Sequence, residues 1–266
     1  MLVAKEAGSE SRVGALLREW RRRRRLSQLE LALEAGISTR HLSFVETGRS
    51  QPSPEMVLTL AEQLEVPLRE RNQLLLAAGY APRYADHALD DPELTSVRDA
   101  VGHVLAGHEP YPAFAVDRCW TMIASNAALG PLLEGVSDEL LVPPVNCIRV
   151  ALHPDGLAPR ILNLPEWKGH LVHRLDREAR VTGDPRLTEL LHEVLAYPGD
   201  PSPQDPGGLA LMVALRLAAG AQGPPLTFFS TVTTFGTAVE VTVSELSVEA
   251  FVPADGETAD WLRRAN

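Results

Sequence analysis

Between residues 12 and 80 the apolar positions recur at the helical period in five short blocks, each closed by a polar or glycine break. Val13, Leu16, Leu17 and Trp20 mark one face of a first helix over about Val13–Arg24. "SQLE" opens the second: Ser27 is placed to cap it, and Glu30 stands three residues on, where it can reach back to the cap amide. Leu29, Leu31, Ala32 and Leu33 follow, and Gly36 ends the helix where a sharp turn needs positive φ. Ile37 then plugs the core, Ser38 caps a third helix with Leu42 and Val45 facing inward, and Gly48 stops it. In "QPSPEMVLTLAEQL" Ser53 is the cap and Pro54 the first helical residue, where its missing N–H costs nothing. "PLRERNQLLLAAGY" supplies the fifth helix.

The pattern changes after residue 80. "APRYADHALDDPEL" is polar and proline-bearing and reads as a connection. A helix carrying Leu94, Val97, Val101, Val104 and Leu105 follows, then two short strands, Ala113–Val116 and Trp120–Ala124, around a "DRC" turn, and a helix over Asn126–Leu133. "PEWKGHLVHRLDREARV" places Trp167, Leu171, Leu175 and Ala179 at four-residue spacing, and "DPRLTELLHEVL" has a comparable face. "YPGDPSPQDPGG" is a loop by composition, and "LALMVALRLAA" (Leu209–Ala219) reads as a buried helix. The end reads as two long strands, "PLTFFSTVTTF" and "AVEVTVSELSVEAFV", joined at Gly236-Thr237. In the second, Val239, Val241 and Val243 take one parity and Leu246, Val248 and Ala250 the other, so a bulge near Ser244–Glu245 would restore one buried face. A short helix, Asp255–Arg264, closes the chain. The expected architecture is an all-α five-helix domain over residues 11–80, a linker over 81–92, and an α+β domain over 93–266.

Charge changes the picture. The 266-residue chain carries a formal net charge of −10, yet Arg12–Ser50 holds 9 Arg against 4 acidic residues, five of the arginines consecutive at Arg21–Arg25. A local basic patch on an acidic body is the footprint of a polyanion-binding module. Helix, tight glycine turn, helix is the helix-turn-helix arrangement, whose second helix can enter a major groove about 12 Å wide. Ser38, Thr39, Arg40 and Ser43 then face the bases, and Arg40 can pair with two acceptors on one guanine. Gln28, Arg49 and part of Arg21–Arg25 are placed for phosphates. Phe44 fits less simply, either against a thymine methyl or packed on the fourth helix.

"LSQLELALEAGISTRHLSFVETGRSQPSPEMVLTLAEQLEVPLRERNQLLLAAGY" resembles the Cro/repressor-type (xenobiotic-response-element) helix-turn-helix regulators of bacteria. The resemblance implies that Gln28, Thr39, Arg40 and Ser43 are operator contacts. "EPYPAFAVDRCWTMIASNAA", "RVALHPDGLAPRILN" and "LTFFSTVTTFGTAVEVTVSELSVEAFVPAD" resemble the MmyB-like ligand-binding domain that follows such modules. That resemblance implies a PAS-like fold and a small apolar ligand, a fatty acid being the known type. One departure is Ser125, where relatives carry a larger aromatic residue, which puts pocket size in question.

Helices on one side of such a sheet would leave a cavity lined by Phe114, Val116, Trp120, Met122, Trp167 and Leu171. His153, Arg149, His173 and Arg174 are candidate partners for a carboxylate head group. Taken residue by residue, the aromatic and Met side chains read as plain core before they read as pocket lining. "ExxxHxxH" (Glu166, His170, His173) could begin a metal site, but no second ligand motif accompanies it, and no GxSxG, phosphate-loop or GxGxxG motif occurs. No metal, cofactor or catalytic residue is therefore expected. Cys119 and Cys147 are too few for a disulfide framework and read as buried free thiols. No apolar run reaches membrane-spanning length, and "MLVAKEAGSESRVG" lacks a signal core, so a cytoplasmic protein is expected, with no membrane partner. Three readings stand: a dimeric DNA-binding regulator sensing a small ligand, a DNA-binding protein whose second domain only dimerises it, and an enzyme fused to a helix-turn-helix.

Overall fold

The computed structural model describes residues 12–202, 213–220, 224–236 and 238–265. Backbone packing divides the chain into two compact units, one ending at Asp86 and including Val239–Val241, the other comprising the rest from His87.

The first unit is all-helical: α1 (Arg12–Arg23), α2 (Gln28–Glu34), α3 (Thr39–Glu46), α4 (Pro54–Gln63) and α5 (Leu68–Ala77). The caps are those the sequence predicts. Ser27 and Glu30 form a reciprocal capping box, Ser38 accepts from the His41 amide, and Ser53 accepts from the Met56 amide. Gly36 and Gly48 sit at φ +66° and +73°, the left-handed turns that stop α2 and α3. The core gathers Val13, Leu17, Trp20, Leu31, Leu42, Val45, Val57, Leu60 and Leu74. Of the four apolar residues of α2, only Leu31 and Ala32 are buried. Leu29 and Leu33, one turn apart, lie in solvent at 67% and 79% exposure.

Gly14 decides how closely α1 approaches α3. A Cβ there would stand 2.5 Å from the Val45 carbonyl oxygen and 2.8 Å from that of Glu46, both backbone atoms that cannot swing aside. Gly14→Ala is therefore expected to cost about 1–3 kcal/mol of stability, as overpacking does, measured by urea unfolding. An unchanged midpoint would contradict this packing.

The second unit opens with a single helical turn, Pro92–Leu94, capped by Asp91, and runs into α6 (Thr95–Gly107). Then come β1 (Ala113–Val116), β2 (Met122–Ser125), α7 (Gly130–Leu133), α8 (Asp138–Leu141), α9 (Cys147–Leu152), α10 (Leu164–Thr182), α11 (Pro185–Ala196), β3 (Leu215–Ala218), β4 (Pro225–Thr234), α12 (Val241–Ser244, whose first residue is grouped with the first unit), β5 (Ser247–Pro253) and α13 (Gly256–Ala265). The strands form one antiparallel sheet in the order β2-β1-β5-β4-β3, giving the α+β class. One face, with Ala113, Ala115, Val248 and Ala250, packs on Val101 and Leu105 of α6. The other, with Phe114, Leu215, Leu217, Phe228 and Phe251, packs with residues of α9, α10 and α11.

Two strand expectations need correction. Leu215–Ala218 is a strand, with Leu215 and Leu217 buried and Arg216 exposed, not part of a buried helix. That alternation has period two, and pairing to β4 satisfies its backbone. Leu209–Met212 and most of the proline-rich loop, from Pro203, lie outside the described residues, as does Thr237 of the expected hairpin turn. The last segment is no single bulged strand: Val241–Ser244 coils into a helical turn, and β5 begins at Ser247 opposite Thr234. Both parities of β5 are buried because both faces of the sheet are covered, so no bulge is needed.

Candidate nucleic-acid interface and ligand pocket

In the first unit the arginine run is sorted by its partners. Glu46, the last residue of α3, is completely buried. Arg21 grips it with two hydrogen bonds, Nε at 2.7 Å and Nη2 at 2.9 Å, and Gln28 Nε2 donates to the same carboxylate at 2.8 Å. Arg18 donates to the Glu46 carbonyl at 2.6 Å. Burial alone would push the Glu46 carboxyl up. The hydrogen bonds from Arg21 and Gln28, with the charges of Arg21 and Arg18, outweigh it and hold Glu46 below the ordinary glutamate range. Arg24 caps the end of α4 through the Leu64 and Glu65 carbonyls at 2.7 and 2.8 Å. Arg23 bonds Glu19 and lies over the Trp20 ring. Arg22 and Arg25 are exposed.

The six sequence-predicted DNA contacts are distributed unevenly. Arg40 and Arg49 are exposed, and both guanidinium groups stack on one ring: Arg40 lies 5.3 Å and Arg49 5.8 Å from the centre of Phe44. Phe44 is half-buried and serves as a platform between two cations. Neither sequence alternative for it, a thymine contact or packing on α4, anticipated this. Ser38 is exposed with its hydroxyl engaged as the helix cap at 3.1 Å from the His41 amide. Thr39 and Ser43 are half-buried on the first turns of α3. Gln28 departs most from expectation: its amide is turned to Glu46, because a fully buried carboxylate needs more donors than Arg21 alone supplies.

The second unit holds a pocket of about 800 Å³, including its open mouth, between the sheet and α9–α10. "DRC" builds one wall. Asp117 accepts from the amides of Cys119 at 2.8 Å and Thr121 at 2.9 Å, which pins a tight turn and holds Trp120 at φ +65°. That turn explains why β2 starts at Met122 and not at Trp120. Trp120 Nε1 donates to Glu178 at 2.8 Å. Arg174 covers the Trp120 ring at 4.4 Å, donates twice to Glu249 at 2.6 and 3.1 Å, and donates to Glu178 at 3.0 Å. Burial would lower the Arg174 pKa, but its carboxylate partners raise it further, so it stays charged. His170 stacks on Trp167 with centroids 5.3 Å apart; burial, then the charge of Arg174, keeps it below its ordinary value and so neutral at pH 7.

Of the predicted pocket residues, Phe114, Trp120, Met122, Trp167 and Leu171 line this space together. Val116 is buried beside it, next to the irregularity in β1, without facing it. His153 is displaced: it ends α9, its Nδ1 accepts from the Asp155 amide at 3.1 Å, and its ring meets Tyr197 edge-on. His173 is exposed, because six residues of α10 past Trp167 is a turn of about 240° away from the pocket stripe. Arg149 pairs with Glu193 on the surface. Among the candidate cations, Arg174 is the one that lines the pocket. Ser125 is exposed and outside the lining, so its small size leaves the cavity unaltered.

The sequence reading missed Glu249, Ser230 and Phe251, which line the pocket from β4 and β5. An acidic residue inside the apolar stretch "SVEAFV" was the available signal. Cys147 also lines the pocket, and burial pushes its thiol well above the ordinary range. Cys119 is half-buried, with burial pushing its thiol up to about 11. No cluster of three or more His, Cys, Asp or Glu side chains suited to a metal occurs among the described residues, nor does a helix long and apolar enough to cross a membrane.

Comparison with known proteins completes this picture. Residues 97–265 match the MmyB-like transcription regulator ligand binding domain, and residues 17–71 match a helix-turn-helix family. No curated protein matches the chain. Among solved structures, the restriction-modification controller protein C.AhdI from Aeromonas hydrophila is 34% identical over 23% of this chain and 92% of its own, with a TM-score of 0.22. The chain belongs to the MmyB-like transcription regulators, as a helix-turn-helix DNA-binding regulator joined to an MmyB-like ligand-binding domain.

Proposed function

We propose that this regulator is a homodimeric, cytoplasmic, non-catalytic switch. A small apolar molecule in the pocket of its PAS-like second domain sets the affinity of α3 for an operator. The observation that carries the ligand half is the pocket itself. Its lining is mostly Leu, Ile, Val, Met, Phe and Trp, with few polar groups, which is the usual form of a small-molecule site. Such a lining suits a hydrocarbon chain of the fatty-acid kind. The antiparallel sheet with helices over its pocket face supports the PAS-like reading.

For the operator half, Arg40 reads a base edge and Arg49 binds a phosphate. Both are presented by Phe44, while Thr39 and Ser43 flank the contact. Ser38 contributes by capping the helix that carries them. Gln28 contributes through Glu46, by fixing the start of α2 against the end of α3. Two chains would present α3 to half-sites about 34 Å apart.

The test begins with operator duplexes selected from random sequence, bound to the full chain before and after removal of copurified lipid on a hydrophobic resin. A coupled pocket is expected to shift operator affinity by about 5–150-fold on adding back the extracted ligand. Unchanged affinity at saturation would leave the second domain as a dimerisation element only, and sedimentation of the full chain as a monomer would remove the dimer.

A further inference from the structure

We propose that the connection between β4 and β5 is the element that relays occupancy of the pocket to the helix-turn-helix unit. This rests on the reading of the protein as a ligand switch and concerns how its two functions are joined.

The chain passes between its two units at more places than the linker. It leaves the first unit between Asp86 and His87, returns to it for Val239–Val241, and leaves again at Thr242. The returning segment is tied to the linker by one hydrogen bond inside each unit. The Val241 amide donates to the Ala85 carbonyl at 2.8 Å in the first unit, and Thr242 Oγ1 donates to the His87 carbonyl at 2.6 Å in the second. Val241 is fully buried. The linker is held just as firmly to α5. Buried Asn72 accepts from the Arg83 and Tyr84 amides at 3.0 Å each and donates to the Tyr84 carbonyl at 2.8 Å. Arg69 pairs with Asp86 at 2.6 Å.

The other end of this path is the pocket wall. Ser230 of β4 and Glu249 and Phe251 of β5 line the pocket, and Ser230 stands opposite Phe251 in the sheet. The two strands stay paired as far as Thr234 and Ser247, where the connection begins and ends. A ligand that repositions these strands therefore moves both ends of the connection, because paired strands shift together and a packed sheet transmits strain. Val241 and Thr242 carry that movement to the backbone on either side of the Asp86–His87 crossing. Asn72 passes it to α5, whose Leu74 and Leu75 belong to the core that also holds Leu42 and Val45 of α3. A slack tether would absorb such a movement. This linker is hydrogen-bonded on both sides, so it forms a contiguous chain of the kind that can carry coupling.

Titration of selected operator duplex into the delipidated full chain, with and without saturating decanoate, reads the coupling. In the wild type decanoate is expected to shift operator affinity by about 5–150-fold. Thr242→Val removes the hydroxyl that holds His87 and keeps the shape of the side chain. It is expected to reduce that shift at least about threefold, with decanoate affinity and decanoate-free operator affinity each within about twofold of wild type. Thr242→Ser, which keeps the hydroxyl, should restore the full shift. In the wild type, hydrogen exchange of peptides spanning residues 83–88 and 238–246 should change at least about threefold on adding decanoate. A full shift in folded Thr242→Val, or unchanged exchange in both wild-type peptides, would overturn the relay while leaving the switch. No effect of decanoate on wild-type operator affinity would remove the switch and the relay together. If Thr242→Val does not fold, the exchange measurement decides alone.

Discussion

Replacing Glu46 by alanine will destabilise the helix-turn-helix unit by about 3–5 kcal/mol, the range for removing one partner of a buried ion pair. The carboxylate is fully buried and accepts from Arg21 and Gln28, so its loss leaves a guanidinium and an amide without their acceptor. Arg21→Ala should cost a comparable amount by stranding Glu46. Arg22→Ala, at an exposed site in the same run, should leave stability within about 0.5 kcal/mol. Instead it should weaken binding to all duplexes alike and reduce the salt slope by about one. Hydrogen exchange of peptides spanning α1–α3 reads stability, and titration of duplex at several salt concentrations reads the charge. A loss under 1 kcal/mol in Glu46→Ala would show that the network stabilises nothing.

The same network carries a pH sign. A carboxyl held below its ordinary value contributes stability that is present above about pH 4.3 and is lost as pH falls through the folded value. Wild-type α1–α3 should therefore open progressively in acid below that point. Glu46→Gln, which has no proton to gain there, should show a flatter acid profile.

Arg40→Ala carries the largest expected functional effect. If its guanidinium reads a guanine, the preferred operator should lose about 1–3 kcal/mol of affinity, roughly 5–150-fold, while a duplex altered at that base pair should lose little. The Phe44 platform adds a second expectation. Phe44→Leu keeps a side chain of similar bulk at this half-buried site but removes the ring under Arg40 and Arg49. It should move both residues' contributions together, so that Phe44→Leu and Arg40→Ala are less than additive in a double-mutant cycle. Equal losses on all sequences from Arg40→Ala would make it a phosphate contact, and full additivity would show that the ring does not position it.

Much of this was legible in the chain because it is written locally. The capping serines, the positive-φ glycines and the 3.6-residue spacing act within a few residues of themselves, so five helices and the recognition turn could be placed in advance. The apolar stripe of α10 was legible for the same reason, and its Trp167 and Leu171 line the pocket. Local signals failed where a segment's state depends on what covers it. β3 looked helical because both states bury apolar residues, and only pairing with β4 chose between them. The "AVEVTVSEL" segment looked like strand because its valines alternate, yet its backbone turns at α12 before β5 begins.

The sequence by itself determined the helix-turn-helix, the basic patch beside it, the α+β class of the second domain and the apolar residues available for a pocket. Only the tertiary structure decided which charges are spoken for. Arg21, Arg24 and Arg174 differ from Arg22 and Arg40 in composition not at all. What separates them is a carboxylate or carbonyl brought near from 25, 40 or 75 residues away. A charge is tied up or left to a ligand according to its nearest buried counter-charge, and that distance exists only once the chain has folded.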